Sequence, residues 1–185
     1  MVTRRRKRAR STVLLLVDYI NHFHFPRAAE LAPRAVRAAR ATASLKFALT
    51  RQGCACVYAN DNFGQWRMEF SALVEQCLAQ GNASGKIATL LQPAAGDMSV
   101  LKPRNSAFYG TPLEFLLDEL DASTLVIAGI AVDMCVLATA QDAHMRKFQV
   151  RVPSDCVAGF SRAEERAALI TMERTLGADI SPHRT

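Results

Sequence analysis

The sequence predicts an α/β protein: a three-layer αβα sandwich around a mostly parallel, Rossmann-like sheet of five or six strands. Apolar, strand-like runs alternate with helix-like segments along the chain. Several of these runs are apolar on both faces, which is typical of strands covered by helices on two sides. The chain has 185 residues, half of them hydrophobic, which suits one domain with a sizeable core.

The predicted strands are short apolar runs bounded by turn residues. The first, TVLLLVD at 12–18, is apolar throughout and ends in an acid. The others are predicted at 54–59, 99–102, 124–129 and 149–153, with a short sixth strand at the ADI of 178–180. Because strands and helices alternate, right-handed crossovers would make the strands parallel.

The predicted helices fill the intervals between the strands. In 26–52 the apolar residues recur about every four positions, and Gly53 suits the end of that helix. Further helices are predicted at 68–78, 86–91, 112–120, 135–147 and 162–176. Thr111 and Ser161 are suited to cap the helices that follow them, and Gly177 is suited to end the last one.

The net charge of +6 comes from the first ten residues. Six of the 23 basic residues lie there, which leaves 17 basic against 17 acidic residues in the rest of the chain. We predict a disordered basic tail at 1–10 and a single domain at 11–185. An arm for nucleic acid is the alternative, but a body without net charge does not favour it. No apolar run is long enough to span a membrane.

The cysteines indicate a reducing compartment. Their number is odd, and no two are spaced as a CxxC pair; they are Cys54, Cys56, Cys77, Cys135 and Cys156. A disulfide framework or a zinc site is therefore not expected. A cytoplasmic location is expected instead.

Three chemically distinctive residues follow predicted strand ends. Asp18 ends the first strand, Lys102 ends the third, and Cys135 follows the fourth. Ligands of open α/β sheets bind beyond the carboxyl ends of the strands, so these side chains should meet. A lysine there would favour a thiolate, and a carboxylate could take the thiol proton and pass it to a leaving group. On spacing alone, Asp18 could instead be a simple strand terminator, Lys102 a surface residue and Cys135 part of the core.

The segments around these residues resemble the isochorismatase-like cysteine hydrolases. The resemblance is carried by LLLVDYINHF, by VLKPRNSAFYGTPLEFLL and by LVIAGIAVDMCVLATAQDAHMRKFQVRVPSDCVA, and it covers nearly all of the chain after the basic tail. It implies that Asp18 is the general base and acid, Lys102 the thiolate stabiliser and Cys135 the nucleophile. It also implies a cis peptide bond at Ile130–Ala131 and an oxyanion hole formed by the backbone amides of Ala131 and Cys135.

The chain departs from this family at several positions. Val132 stands where Thr is common, and Ile20 stands where many relatives have Gln. Isochorismatases proper lack the nucleophilic cysteine, so Cys135 argues against their vinyl-ether hydrolysis. Nicotinamidase relatives carry metal-binding histidines after the second strand, where this chain has Asp61 and no histidine. His22 and His24 follow the first strand instead, and two histidines make a weak site, so no metal and no cofactor is expected.

The substrate pocket is the least determined part of the prediction. Five residues in loops beyond the strand ends are candidates to line it: Phe23, Asn60, Trp66, Phe108 and Tyr109. Aromatic residues there could enclose a flat or apolar acyl group, although Phe23 and Phe108 could equally be packing residues.

The sequence therefore predicts a cytoplasmic, metal-independent cysteine hydrolase. Its reaction would be cleavage of a C–N bond in a small amide or carbamoyl compound, through a thioester acyl-enzyme. The resemblance also implies a homodimer or homotetramer, with no membrane partner and no nucleic acid. The alternatives are a non-catalytic binding module of the same fold and nucleic-acid association through the basic arm.

Overall fold

A computed structural model of the chain describes residues 11–183. The predicted basic tail and its possible association with nucleic acid lie outside the described residues. None of the helices within residues 11–183 combines the length and the apolar composition that crossing a membrane requires.

Six parallel strands form the sheet, which confirms the predicted fold class. They are β1 (Ser11–Val17), β2 (Ala55–Asp61), β3 (Met98–Lys102), β4 (Ala122–Ile130), β5 (Gln149–Arg151) and β6 (Val157–Ala158). The order across the sheet is β3-β2-β1-β4-β5, and β6 also pairs with β4. The chain moves outward from β1 to β3 and then returns to the other side of β1. That reversal places a crevice at the carboxyl ends of β1 and β4.

Helices cover both faces of the sheet. They are α1 (Ala28–Arg51), α2 (Phe70–Leu78), α3 (Ala83–Leu90), α4 (Leu113–Glu119), α5 (Leu137–Met145) and α6 (Arg162–Leu176). In β1, Leu14 and Leu16 pack toward α1, α2 and α3, whereas Val13, Leu15 and Val17 pack toward α4, α5 and α6. Because successive side chains of a strand point to opposite faces, a strand buried on both sides is apolar at every position.

The predicted helix boundaries are close to those observed. The Ser161 hydroxyl accepts the Glu164 N–H at 3.1 Å, and Gly177 ends α6 in the left-handed conformation, so both predicted caps are confirmed. The Thr111 hydroxyl accepts the Leu113 N–H at 3.2 Å, although α4 begins one residue later than predicted.

Two elements differ from the prediction. The sixth strand is Val157–Ala158 and not the ADI segment, in which Asp179 makes only an isolated bridge to Arg151. Helix α3 begins at Ala83, three residues early, because the Asn82 side chain accepts the Ser84 N–H and caps it. Neither difference moves the sheet edge at which the candidate residues lie.

Candidate active site

The carboxyl edge of the sheet brings Asp18, Lys102 and Cys135 into contact. Lys102 Nζ lies 2.8 Å from Asp18 Oδ2 and 3.5 Å from Cys135 Sγ. Lys102 is fully buried and Asp18 nearly so. The Asp18 carboxylate and the Cys135 thiol lie close enough to shift each other's pKa. One cation, one carboxylate and one thiol therefore share a single buried cluster.

Asp18 is held by the backbone of β2. Its own N–H donates to the Ala59 carbonyl at 3.0 Å, and its Oδ1 accepts the Asp61 N–H at 2.6 Å. It adopts a left-handed conformation, with φ of 52°, which turns the chain out of β1. With Oδ1 held by an amide, Oδ2 faces Lys102. The orientation of the carboxylate is thus set before any ligand arrives.

Lys102 lies at the end of β3, with its ammonium group inside the protein. Its Nζ donates to the Arg104 carbonyl at 3.1 Å, in addition to its contacts with Asp18 and Cys135. Asp61 Oδ2 is 3.8 Å away. A buried ammonium is tolerated only when its charge is paired and its donors are used, and both conditions are met here.

Cys135 lies on a tight turn between β4 and α5. The Ile130–Ala131 peptide bond is cis, and residues Val132–Val136 form one π-helical turn before α5 begins. The amides of Met134 and Val136 both donate to the Ala131 carbonyl. Helical structure therefore begins at Val132, three residues earlier than predicted, and Cys135 lies inside the π-helical turn that precedes α5. Backbone N–H groups are concentrated in such a turn.

Gly129 allows this turn to approach β1. Its φ is +155°, and a Cβ at this position would lie 2.2 Å from the Val17 carbonyl oxygen. No side chain fits that space. A glycine at this position keeps the carboxyl ends of β1 and β4 close enough for Asp18 to reach Cys135.

Burial and the neighbouring charges together set the pKa of the Cys135 thiol. Burial, followed by the negative charge of Asp18, raises that pKa to about 12, and Lys102 offsets only part of the rise. Lys102 does lower the pKa of the thiol, in the direction predicted from the sequence, but its charge is shared with Asp18. The thiol of the free protein therefore stays protonated, and the carboxylate beside it is available as the proton acceptor.

The pKa values of the other two groups follow from the same ion pair. Burial raises the pKa of Asp18 above its ordinary value, and Lys102 counteracts only part of this effect. For Lys102, burial acts to lower the pKa, but the charges of Asp18 and Cys135 outweigh it and hold the pKa above its ordinary value. The lysine therefore stays charged.

A cavity of about 380 Å³ opens onto the thiol. Its wall is mostly apolar, with two carboxylates and two amides. The lining residues are Asp18, Asn21, Phe25, Pro26, Leu31, Asp61, Phe63, Asn105, Ile130, Ala131, Met134, Cys135 and Phe160. A concave, largely apolar pocket with a few polar groups is typical of a small-molecule site.

None of the five residues predicted to line the pocket belongs to this cavity. Phe23 and Phe108 pack against the hydrophobic layers on the two sides of the sheet. Trp66 and Tyr109 are exposed, by 81% and 64%. Asn60 is fully buried, with its side-chain amide donating to the Ile20 carbonyl. Asn60 and Asp61 are successive residues of β2 and therefore point to opposite faces, and it is Asp61 that reaches the cavity.

Several lining residues were not predicted from the sequence. Asn105 follows Lys102 by three residues, and its Oδ1 is 3.9 Å from Cys135 Sγ. Its loop is held to α5, because the Ala107 N–H donates to the Thr139 hydroxyl at 3.0 Å. Phe25 and Phe160 meet edge to face with ring centroids 6.3 Å apart. Only the positions of Asn105 and Met134, close in sequence to Lys102 and Cys135, could have indicated them.

The histidines do not assemble a metal centre. His22 stacks on His24 with ring centroids 5.6 Å apart, and its Nδ1 lies 2.8 Å from the Gln80 side-chain nitrogen. Across residues 11–183, no three His, Cys, Asp or Glu side chains are grouped so that they could hold a metal ion. His22 and His24 therefore have no third such ligand grouped with them among residues 11–183.

Comparison with known proteins places the chain in a family. The isochorismatase domain matches residues 12–184. The chain belongs to the isochorismatase family. It is 36% identical over 168 residues to the isochorismatase family protein YaaI of Bacillus subtilis, and the match covers 91% of this chain and 92% of that relative.

The chain is also similar to proteins named as an amidohydrolase and an amidase. Maleamate amidohydrolase of Pseudomonas putida is 29% identical over 177 residues, with 91% of this chain and 82% of that protein covered. N-carbamoylsarcosine amidase of Thermoplasma acidophilum superposes with a TM-score of 0.73 at 26% identity, over 95% of this chain and 98% of that one. The chain is an isochorismatase-family hydrolase.

Proposed function

We propose that this chain hydrolyses the C–N bond of a small amide or carbamoyl compound, with Cys135 as the nucleophile and without a metal ion. The observation that carries the proposal is the position of Lys102 Nζ, 2.8 Å from Asp18 Oδ2 and 3.5 Å from Cys135 Sγ, beside a cavity of about 380 Å³. The names of the similar amidohydrolase and amidase support the same bond type.

The first step is acylation of Cys135. Its sulfur attacks the amide carbonyl carbon, its proton passes to Asp18, and the carbonyl π electrons move to the oxygen. The backbone amides of Ala131 and Cys135 are the proposed donors to this oxyanion. The charge of Lys102 compensates the negative charge that moves from the carboxylate to the sulfur and then to the oxygen.

The second step releases the amine. The oxyanion electrons re-form the carbonyl, the C–N bond breaks, and Asp18 returns its proton to the leaving nitrogen. Ammonia or an amine departs, and a thioester remains on Cys135. Because the pKa of Asp18 is raised by burial, its protonated form is populated more readily than that of an exposed aspartate.

Hydrolysis of the thioester completes the cycle. Asp18, again a carboxylate, takes a proton from a water molecule as that water attacks the thioester carbonyl. The C–S bond breaks, the sulfur recovers its proton from Asp18, and the carboxylic acid leaves. The same residue thus acts as base, acid, base and acid in sequence.

The test is ammonia release from small amides, carbamoyl compounds and ureides by the native chain and by Cys135→Ala. We expect turnover in the native chain and loss of at least about a thousandfold in the variant, as for removal of a nucleophile. Cys54→Ala removes the other partly exposed thiol and is the matched control, with turnover retained.

Two results would contradict this proposal. One is turnover that persists in Cys135→Ala, which would assign the chemistry to another group. The other is a folded chain that hydrolyses none of the compounds. That result would favour a binding module of the same fold.

A further inference from the structure

We propose that the pocket selects substrates by charge: it accepts neutral or cationic amides and discriminates against amides that carry a carboxylate, and Asp61 is the specificity-determining residue. This inference rests on the proposed function, because the amide is the substrate of that reaction. It separates this chain from its maleamate- and N-carbamoylsarcosine-cleaving relatives, whose named substrates each bear a carboxylate.

The titratable groups around the cavity give it a net negative charge. Among the described residues that line the cavity, the ionisable groups are the two carboxylates Asp18 and Asp61 and the thiol of Cys135, with no Arg, Lys or His. Lys102 lies behind the wall, fully buried, between the two carboxylates. With the thiol protonated, these four groups sum to one negative charge.

Asp61 is held in place at the rim. Its Oδ1 accepts the Phe63 N–H at 2.6 Å, and its Oδ2 lies 3.8 Å from Lys102 Nζ. Its side chain is 33% exposed, whereas that of Asp18 is 6% exposed. Lys102 Nζ lies 1 Å closer to Asp18 than to Asp61, so its positive charge mainly compensates Asp18. The uncompensated negative charge is therefore that of Asp61, which lines the cavity.

The rest of the wall, as the described residues form it, has no cation to pair with an anion. Phe25, Phe63, Met134 and Phe160 are apolar, and the remaining polar side chains are the neutral amides of Asn21 and Asn105. A carboxylate that left water here would lose its hydration without gaining an ion pair.

Two neighbouring arginines do not supply that ion pair. Arg27 extends over the Phe160 ring, but its guanidinium pairs with Glu30 and Glu164. Arg104 precedes Asn105 and donates to the Pro103 carbonyl, and it does not line the cavity. Arg27 is thus paired with two carboxylates, and Arg104 lies outside the lining of the cavity.

The decisive measurement uses Cys135 as the probe and two alkylating reagents of similar size. Iodoacetamide is neutral and iodoacetate is an anion, and each transfers its carbon to the sulfur with release of iodide. The second-order rate constant at Cys135 is measured for both by peptide mass spectrometry. The ratio of the two constants is divided by the ratio for the same cysteine in urea, which removes the intrinsic difference between the reagents.

We expect a normalised preference for iodoacetamide of about tenfold, the effect of one unit charge several ångströms away in a partly screened site. The preference should shrink as salt is added. In Asp61→Asn, which keeps an acceptor for the Phe63 N–H, it should fall to within about twofold of unity. Asp118→Asn makes the same chemical change on the exposed surface of α4, outside the cavity, and should leave the preference unchanged.

A normalised preference near one, or an equal preference in Asp61→Asn and Asp118→Asn, would overturn the inference. A matched substrate pair tests the same point in turnover: succinamide and succinamate differ only by an amide against a carboxylate. We expect kcat/KM to favour succinamide by at least about tenfold after allowance for its second amide. Faster hydrolysis of succinamate would also overturn the inference.

The two proposals fail separately. If Cys135→Ala keeps turnover, the proposed nucleophile is wrong, while the alkylation ratio still measures the charge of the cavity. If turnover depends on Cys135 but the ratio is near one, the reaction stands and the charge selectivity fails.

Discussion

Asp18 and Lys102 form an ion pair that is closed to solvent, with Oδ2 and Nζ 2.8 Å apart and Lys102 completely buried. The two residues come from the ends of β1 and β3, which are separated in the sheet by β2. The pair therefore joins two non-adjacent strands directly behind the thiol of Cys135. Each charge makes the burial of the other tolerable.

Loss of one partner should destabilise the protein more than loss of both. Lys102→Met leaves the Asp18 carboxylate buried and unpaired, and we expect the free energy of unfolding to fall by about 3–5 kcal/mol. Asp18→Asn combined with Lys102→Met should recover part of that loss. Urea unfolding followed by circular dichroism measures all three chains, and a double variant less stable than Lys102→Met would contradict this expectation.

The activity should have an acid limb set by Asp18. The residue must be a carboxylate to accept the thiol proton, so activity is present above its pKa and is lost as the pH falls through it. Because burial raises that pKa, the limb should lie at higher pH than the 3.8 of an ordinary aspartate. A pH profile of kcat/KM measures it, and a limb at or below the ordinary value would show that Asp18 is not the base.

Substitution of Gly129 should damage both the fold and the site. In Gly129→Ala the new Cβ would lie 2.2 Å from the Val17 carbonyl oxygen, so β1 and β4 must separate. We expect a loss of at least about 2 kcal/mol in stability, together with most of the activity. Gly96→Ala, where nothing lies within 4 Å, is the control and should change neither quantity much. Equal thermal stability of the two variants would contradict the steric explanation.

Arg27 should act on the pocket more than on stability. It lies on the exposed surface, yet it links the loop after β1 to α6 through Glu164 and covers the Phe160 ring with its guanidinium 4.6 Å from the centroid. In Arg27→Gln we expect little change in Tm, because exposed ion pairs contribute little. KM should rise several-fold as the wall formed by Phe25 and Phe160 loosens.

The matched control for that prediction is Arg34→Gln. Arg34 also pairs across to α6, with Glu165 at 3.4 Å, but it makes no ring contact with Phe160. Its KM should stay near that of the native chain. A KM for Arg27→Gln that equals the native value would show that the wall does not depend on this link.

The local sequence pattern was sufficient to predict the elements that depend on burial and on helix capping. The continuous apolar run of β1 predicted a strand covered on both sides, and Ser161 and Gly177 predicted both ends of α6. The ADI segment was predicted as the sixth strand, but its Asp179 makes only an isolated bridge to Arg151 of β5, whereas Val157–Ala158 pairs with β4. Such long-range pairing has no local signature.

The sequence by itself determined that Asp18, Lys102 and Cys135 would lie at one edge of the sheet, because each follows the end of a strand in a parallel α/β order. Only the tertiary structure decided which groups face the cavity and with what charge. The alternation of β2 buries Asn60 and presents Asp61, and burial together with the charge of Asp18 raises the pKa of Cys135 to about 12, because Lys102 offsets only part of the rise. Both effects depend on distances of a few ångströms between residues far apart in the chain, and electrostatic interaction follows those distances and not the sequence.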